Sequence, residues 1–146
     1  MVVETPDEAD VVLLFLNTVF NGNQPAGTDR TLDQMMASRF PDTNLAFSEE
    51  ILAKAASHSD VSQLVTLVDL NRPAVLTELN GMSDALVGTF GVSDEAMLDV
   101  VFGKHNPVGK LPFELPSSMA EVEAQLEDVP DDTANPLFPY GWGLSY

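Results

Sequence analysis

The sequence contains no cysteine, which excludes several kinds of site at once. Without thiols there can be no disulfide, no thiolate zinc site and no thiol nucleophile. Histidine is almost as scarce, because only His58 and His105 occur, and they share no metal-ligand spacing such as H-x-x-x-H. We therefore predict no histidine metal centre and expect no cofactor.

Basic residues are also few, with six Lys and Arg against 23 Asp and Glu and a formal net charge of −17. Residues 111–146 include seven acidic residues and no Lys or Arg. A surface of this kind repels nucleic-acid phosphates and anionic membranes, so neither is expected as a partner. We interpret the acidic residues as a solvated surface, since no calcium loop of the D-x-D-x-D-G type occurs.

Long apolar runs are missing too. A membrane helix needs roughly 20 apolar residues, whereas the longest run here, residues 11–16, suits a buried strand. The first residues carry neither the basic nor the apolar region of a signal peptide. None of these absences fixes a cellular compartment, which the sequence leaves unknown.

The pattern of apolar residues predicts a single α/β domain over residues 1–146. A continuous β-branched and aliphatic run predicts a strand buried on both faces at 10–17, followed by a second buried strand at 63–70 and a third strand at 84–90. Helices are predicted at 48–57, 72–79, 93–102 and 118–126, and a short strand at 111–115. The alternation predicts a doubly wound fold, a mostly parallel sheet sandwiched by helices.

Local signals mark the ends of the predicted helices. Four Ser or Thr residues are predicted N-caps: Thr5, Ser48, Ser93 and Ser118. Thr5 with Glu8 and Ser118 with Glu121 match the capping-box spacing. Gly103 is predicted to end a helix.

The C-terminal residues 127–146 contain three prolines and are predicted to form an irregular tail. Gly141 and Gly143 are expected to let this tail turn sharply. Its aromatic residues, Tyr140, Trp142 and Tyr146, are then expected to pack onto the domain.

Two features suggest phosphate chemistry, but neither interpretation fits the sequence. Residues 103–110 resemble a phosphate-binding loop, but the spacing is one residue too long, Leu111 replaces the Ser or Thr, and a helix precedes it. Asp69 ends a predicted strand, where doubly wound sheets bind ligands. The acidic pair and lysine of a phosphoacceptor site cannot be assembled around Asp69, so we interpret it as ordering a loop.

The connection between the first strand and the next helix, residues 18–47, is the main functional candidate. Connections this long without periodicity are usually functional or disordered. It combines carboxylates, guanidinium groups and aromatic rings, among them Asp29, Arg30, Asp33, Arg39, Phe40 and Asp42. Polar groups can bond sugar hydroxyls while rings stack on the C–H face. This composition favours sugar recognition, with a plain surface loop as the alternative.

Three stretches resemble the C-terminal α/β-sandwich domain of family 3 glycoside hydrolases, the β-glucosidase family. They are LNRPAVL at 70–76, residues 84–119, which include DVVFGKHNPVGKLP at 99–112, and NPLFPYGWGLSY at 135–146. The resemblance implies a domain that completes the substrate cleft of a TIM-barrel catalytic domain. The longer parent would hydrolyse terminal β-linked glucosyl or N-acetylglucosaminyl residues. The first strand–helix unit of the sandwich is expected to be missing from this chain.

The resemblance also limits what the chain can do alone. Retaining hydrolysis needs two carboxyl groups about 5 Å apart, and in this family the nucleophilic aspartate lies on the barrel. The isolated chain is therefore expected to be inactive. Many members take their acid/base Glu from the loop that corresponds to 18–47, but no Glu occurs there. N-acetylglucosaminidases of the family, which keep both groups on the barrel, match this absence too.

The site residues that the resemblance implies are consequently aspartates and their neighbours. No motif marks a catalytic residue, so Asp42, Asp33 and Asp29 are all open as acid/base candidates, and Asp42 is the best single match to the family, as a substrate-facing or loop-ordering residue. Substrate binding is assigned to Arg39, Asp42, Arg30 and Phe40. The expected partners are a carbohydrate and a barrel domain of the same or another chain, and self-association through a barrel-facing surface stays open. The alternative function is a non-catalytic domain that binds sugar or assembles with a partner.

Overall fold

The computed structural model describes residues 2–18, 44–60, 62–126 and 128–146. Three parallel strands lie in the order β1 (Val11–Asn17), β2 (Gln63–Asp69) and β3 (Ala85–Thr89). The helices are α1 (Glu49–Ser59), α2 (Thr77–Met82), α3 (Asp94–Val101) and α4 (Met119–Ala124). Strands β4 (Leu115–Pro116) and β5 (Pro136–Phe138) form a separate antiparallel pair. The predicted α/β fold with a parallel sheet is confirmed.

One face of the parallel sheet forms the core of the domain. Leu14, Leu64 and Val68 point to this face at alternate strand positions and are buried. Ala55 of α1 and Leu79 of α2 are buried in the same cluster, so both helices cover this face. One helix connects β1 to β2 and another connects β2 to β3, because parallel strands need a crossover connection between them.

The opposite face of the sheet is covered unevenly. Leu67 in the central strand is buried, but Phe15 on β1 keeps 55% of its surface exposed. The prediction that β1 is buried on both faces is therefore wrong, whereas the predicted burial of β2 is confirmed. Phe15 instead lines an open cleft at the carboxyl end of the sheet.

Three of the four predicted caps are confirmed. The hydroxyl oxygens of Ser48, Ser93 and Ser118 each accept a hydrogen bond from the backbone N–H three residues later. Thr5 makes no side-chain capping bond, and only a three-residue 3₁₀ helix follows it. Gly103 follows the last residues of α3 with a φ of 71°, a left-handed conformation that suits glycine.

Two element boundaries differ from the predictions because long-range pairing overrides local signals. The helix predicted to start at Arg72 begins at Thr77, since Val75 instead pairs with Ala46 and its N–H donates to the Leu45 carbonyl. The strand predicted at 111–115 is only Leu115–Pro116, because the N–H of Leu111 donates to the Trp142 carbonyl.

The C-terminal segment, predicted to be irregular, contains the short strand β5. Trp142 stacks on Phe138 with ring centroids 5.7 Å apart. Gly141 has a φ of 76°, and a side chain at Gly143 would clash with the Gly109 carbonyl oxygen. Trp142 thus packs onto the domain, whereas the rings of Tyr140 and Tyr146 stay largely exposed.

Candidate functional site

The residues that the sequence marks for catalysis or substrate binding lie outside the described residues. They all fall within 19–43: Asp29, Arg30, Asp33, Arg39, Phe40 and Asp42. The described residues Thr18 and Asn44 flank this segment. Their contacts show where in the fold the segment begins and ends.

Thr18 directly follows β1 and is tied to the end of β2. Its N–H and its hydroxyl both donate to the Asp69 carbonyl oxygen, at 3.0 and 3.1 Å. The same hydroxyl oxygen accepts from the backbone N–H groups of Asn71 (2.9 Å) and Arg72 (3.3 Å). Only 4% of Thr18 is exposed, so these bonds fix the start of the segment at the sheet edge.

The other flank returns to the same turn. The Arg72 guanidinium donates to the Asn44 carbonyl oxygen at 3.1 Å. The backbone N–H of Val75 donates to the Leu45 carbonyl oxygen at 3.0 Å. Segment 19–43 therefore begins and ends beside residues 70–75, at the carboxyl end of β2.

Asp69 connects all three parallel strands at this edge. One of its carboxylate oxygens accepts from the Thr89 hydroxyl (3.0 Å) and the Gly91 N–H (2.8 Å). The other accepts from the Asn71 side-chain amide at 3.3 Å. The prediction that Asp69 orders a loop is confirmed, because these bonds hold the turns after β2 and β3 together.

Two clefts of similar size occur in the described part of the chain. The edge cleft, about 290 Å³, lies at the carboxyl end of the sheet and is lined by Phe15, Asn17, Asp69, Thr89 and Asp94 among others. The Glu114 cleft, about 270 Å³, is lined by Leu45, Pro73, Phe113, Glu114 and Gln125 among others. Leu45 and Pro73 place the second cleft next to the return of segment 19–43.

The edge cleft is lined by both polar and aromatic side chains. An exposed phenyl ring at Phe15 lies beside the carboxylates of Asp69 and Asp94 and the amide of Asn17. No cluster of His, Cys, Asp or Glu suited to a metal ion occurs among the described residues. None of the described helices is long and apolar enough to cross a membrane.

Sequence reasoning passed over two residues that the structure makes prominent. One is Thr18, and its place directly after a predicted strand is the signal that it lies at the carboxyl end of the sheet. Glu114 lies in the apolar stretch LPFELP, where a single carboxylate between prolines is the available signal. The structure buries this carboxylate.

Comparisons with known proteins agree with this fold. The model of the glycosyl hydrolase family 3 C-terminal domain matches residues 1–146. β-Glucosidase C of Emericella nidulans is 44% identical over 147 residues, covering 99% of this chain and 22% of that protein. The periplasmic β-glucosidase/β-xylosidase of Dickeya chrysanthemi is 39% identical over 149 residues, covering 100% of this chain and 22% of that protein.

A solved structure supports the fold independently. The β-glucosidase of Listeria innocua in complex with isofagomine superposes with a TM-score of 0.68 at 21% identity, covering 95% of this chain and 21% of that chain. The chain thus spans about a fifth of the length of the proteins it matches. From the family match over its whole length, the chain belongs to the glycosyl hydrolase family 3 C-terminal domain family.

Proposed function

We propose that this chain is the part of a β-glucosidase-type glycosidase that completes the substrate cleft against a TIM-barrel catalytic domain. The observation that carries the proposal is the tethering of both flanks of segment 19–43 to residues 69–75. In doubly wound sheets, ligands bind at the carboxyl ends of the strands. The substrate of the whole enzyme would be a terminal β-linked glucosyl or N-acetylglucosaminyl unit.

The catalytic work is divided between the two domains in this proposal. The barrel supplies the nucleophilic aspartate, so the 146-residue chain alone does not hydrolyse glycosides. Segment 19–43 supplies Asp42 as acid/base, with Asp33 and Asp29 as the other candidates. Arg30, Arg39 and Phe40 contact the sugar or its leaving group, and Asp42 also belongs to this binding set.

The local physics supports this division of roles. The Thr18 hydroxyl oxygen accepts from the Arg72 N–H, and the Arg72 guanidinium donates to the Asn44 carbonyl oxygen, so both residues that flank the segment are held at the same turn. Such anchoring lowers the entropy that is lost when a loop orders against a substrate. A general acid works only within hydrogen-bond reach of the leaving-group oxygen. Anchored flanks on the loop that carries the acid therefore favour catalysis.

A chimera tests the proposal directly. Residues 1–146 replace the matching region of Emericella nidulans β-glucosidase C, with which they are 44% identical. Hydrolysis of 4-nitrophenyl β-D-glucoside and 4-nitrophenyl N-acetyl-β-D-glucosaminide is measured for the chimera, the parent and the 146-residue chain. We expect an active chimera and an inactive chain. Turnover by the purified chain alone, or a folded chimera that hydrolyses neither substrate, contradicts the proposal.

The acid/base assignment is tested in the same chimera. Asp42→Asn should lower kcat for cellobiose by about 10²–10⁴-fold, the range that general acid catalysis contributes. The loss should be smaller for 2,4-dinitrophenyl β-D-glucoside, whose leaving group needs no proton. Asp33→Asn and Asp29→Asn are the matched controls. An equal loss on both substrates would show that Asp42 has a different role, and a leaving-group-dependent loss in a control would move the assignment there.

A further inference from the structure

Glu114 is a buried acidic residue in apolar surroundings. Only 8% of its surface is exposed, and its sequence neighbours are Phe113 and Leu115. A buried carboxylate is costly unless hydrogen bonds or a cation compensate the lost hydration. The contacts of Glu114 therefore indicate what the site around it can hold.

The protein itself donates hydrogen bonds to one of the two oxygens of this carboxylate. Its Oε1 atom accepts from the Thr133 N–H at 2.8 Å and from the Gln125 side-chain amide at 3.2 Å. Both donors are neutral. Among the described residues, none donates a hydrogen bond to Oε2. The ion pair found among these residues joins Lys104 to Asp99 and does not involve Glu114.

The hydrogen bonds on Oε1 belong to a small network. The Gln125 amide donates a second bond, to the Thr133 hydroxyl at 2.5 Å. The turn that carries these residues is closed by the Leu126 N–H, which donates to Asp132 at 2.8 Å. The other carboxylate oxygen of Asp132 is buried and has no partner among the described residues. This Asp132 oxygen is therefore a second acceptor near Glu114 without a donor from the described residues.

Glu114 lines a cleft of about 270 Å³ whose walls are mainly apolar. The wall residues include Leu45, Pro73, Phe113, Pro116, Leu126 and Val129. Asp131 lies at the same cleft and is exposed to solvent. The site therefore combines apolar walls, a buried carboxylate with an open oxygen and an acidic residue on its border.

We propose that the Glu114 cleft binds an organic cation with an aliphatic stem, an alkylguanidinium or alkylammonium group such as an arginine or lysine side chain carries. The stem would contact the apolar walls, and the cationic N–H groups would donate to Oε2 of Glu114. Charge-assisted hydrogen bonds of this type are stronger than neutral ones. The formal charge of −17 would also attract a cation over a longer range.

The test is a titration of the 146-residue chain with n-butylguanidinium, followed by amide chemical shifts in ¹H–¹⁵N spectra. n-Butylurea is the matched neutral ligand, with the same stem and shape but no charge. We expect saturable shifts at Glu114, Gln125 and Thr133 with the cation, and at least about tenfold weaker binding of the urea. Equal binding of the two ligands, or no saturable shift with the cation, overturns the proposal.

Glu114→Gln is the informative variant because its remaining carbonyl oxygen can still accept from Thr133 and Gln125. An unchanged melting temperature would show that the fold is retained, and cation binding should weaken by at least about tenfold. Glu123→Gln removes the same charge from an exposed position of α4 and should bind like the wild type. If both variants weaken binding equally, the overall charge and not this cleft attracts the cation.

The source of the cation is settled by a second pair of ligands. N-acetyl-arginine amide carries the guanidinium group on a peptide backbone, and its citrulline analogue is the neutral control. Binding of the arginine derivative at least as tight as that of butylguanidinium assigns the cleft to a protein side chain. Exclusion of the arginine derivative, with butylguanidinium still bound, assigns the cleft to free small cations.

The proposal does not depend on glycosidase activity, since a chain that hydrolyses nothing can still bind a cation.

Discussion

Replacing Thr18 by Val tests whether one hydroxyl group fixes the start of segment 19–43. The substitution keeps the shape of the side chain and replaces only its hydroxyl group with a methyl group. That oxygen donates to Asp69 and accepts from the N–H groups of Asn71 and Arg72. All three bonds join residues more than 50 positions apart in the sequence.

The expected loss of stability follows from the three bonds. A typical intramolecular hydrogen bond contributes about 1 kcal/mol net, and a buried donor left unpaired costs about 1–3 kcal/mol. Thr18 is buried, but the two N–H donors are only partly so, which lets water compensate part of the loss. We therefore expect Thr18→Val to lower the free energy of unfolding by about 2 kcal/mol.

Urea unfolding followed by circular dichroism measures this difference. Thr5→Val is the matched control, because Thr5 is exposed and makes no side-chain capping bond. It should change the free energy of unfolding by less than about 0.5 kcal/mol. If Thr18→Val is as stable as this control, the hydroxyl does not anchor the segment and the argument for the site position fails.

Two further predictions concern the core and the tail. Leu64→Ala, at a fully buried position of β2, should lower the free energy of unfolding by about 2–5 kcal/mol. The control Val108→Ala, at an exposed position, should change it by less than about 0.5 kcal/mol. Similar urea midpoints for the two variants would contradict the described core. Gly143→Ala should destabilise the domain and accelerate amide exchange of Leu111, because the new Cβ would meet the Gly109 carbonyl oxygen. The control is Gly81→Ala, whose new Cβ has open space inside α2, and it should be neutral or stabilising by up to about 1 kcal/mol. An equal loss of unfolding free energy in both glycine variants would refute the proposed clash.

Much of the fold was predictable because its signals are local. The β-branched runs placed β1, β2 and β3 to within one or two residues. Ser48, Ser93 and Ser118 marked helix starts because a side-chain oxygen three residues before an N–H is a short-range geometry. The family resemblance, read from residues 70–76, 84–119 and 135–146, was confirmed over the whole chain.

Features that depend on distant partners were not predictable in this way. Arg72-Pro73 is a typical helix start, yet the backbone at Val75 pairs with Ala46, far away in the sequence. Phe15 belongs to an apolar run that predicts burial, but its exposure depends on which elements cover that face of β1. Roles for the residues of segment 19–43 remain proposals, since the described structure fixes only the two flanks.

The sequence by itself determined that this chain is an acidic α/β domain with a parallel sheet, and its motifs pointed to the correct family. Those conclusions rest on periodicity, capping and motif spacing, which act within a few residues. Only the tertiary structure showed that Thr18 and Asn44 meet at the same turn, and that Glu114 lies buried with one oxygen open to a cleft. These features arise from contacts between residues 19 to 54 positions apart and from burial by several elements, which no local pattern of residues encodes.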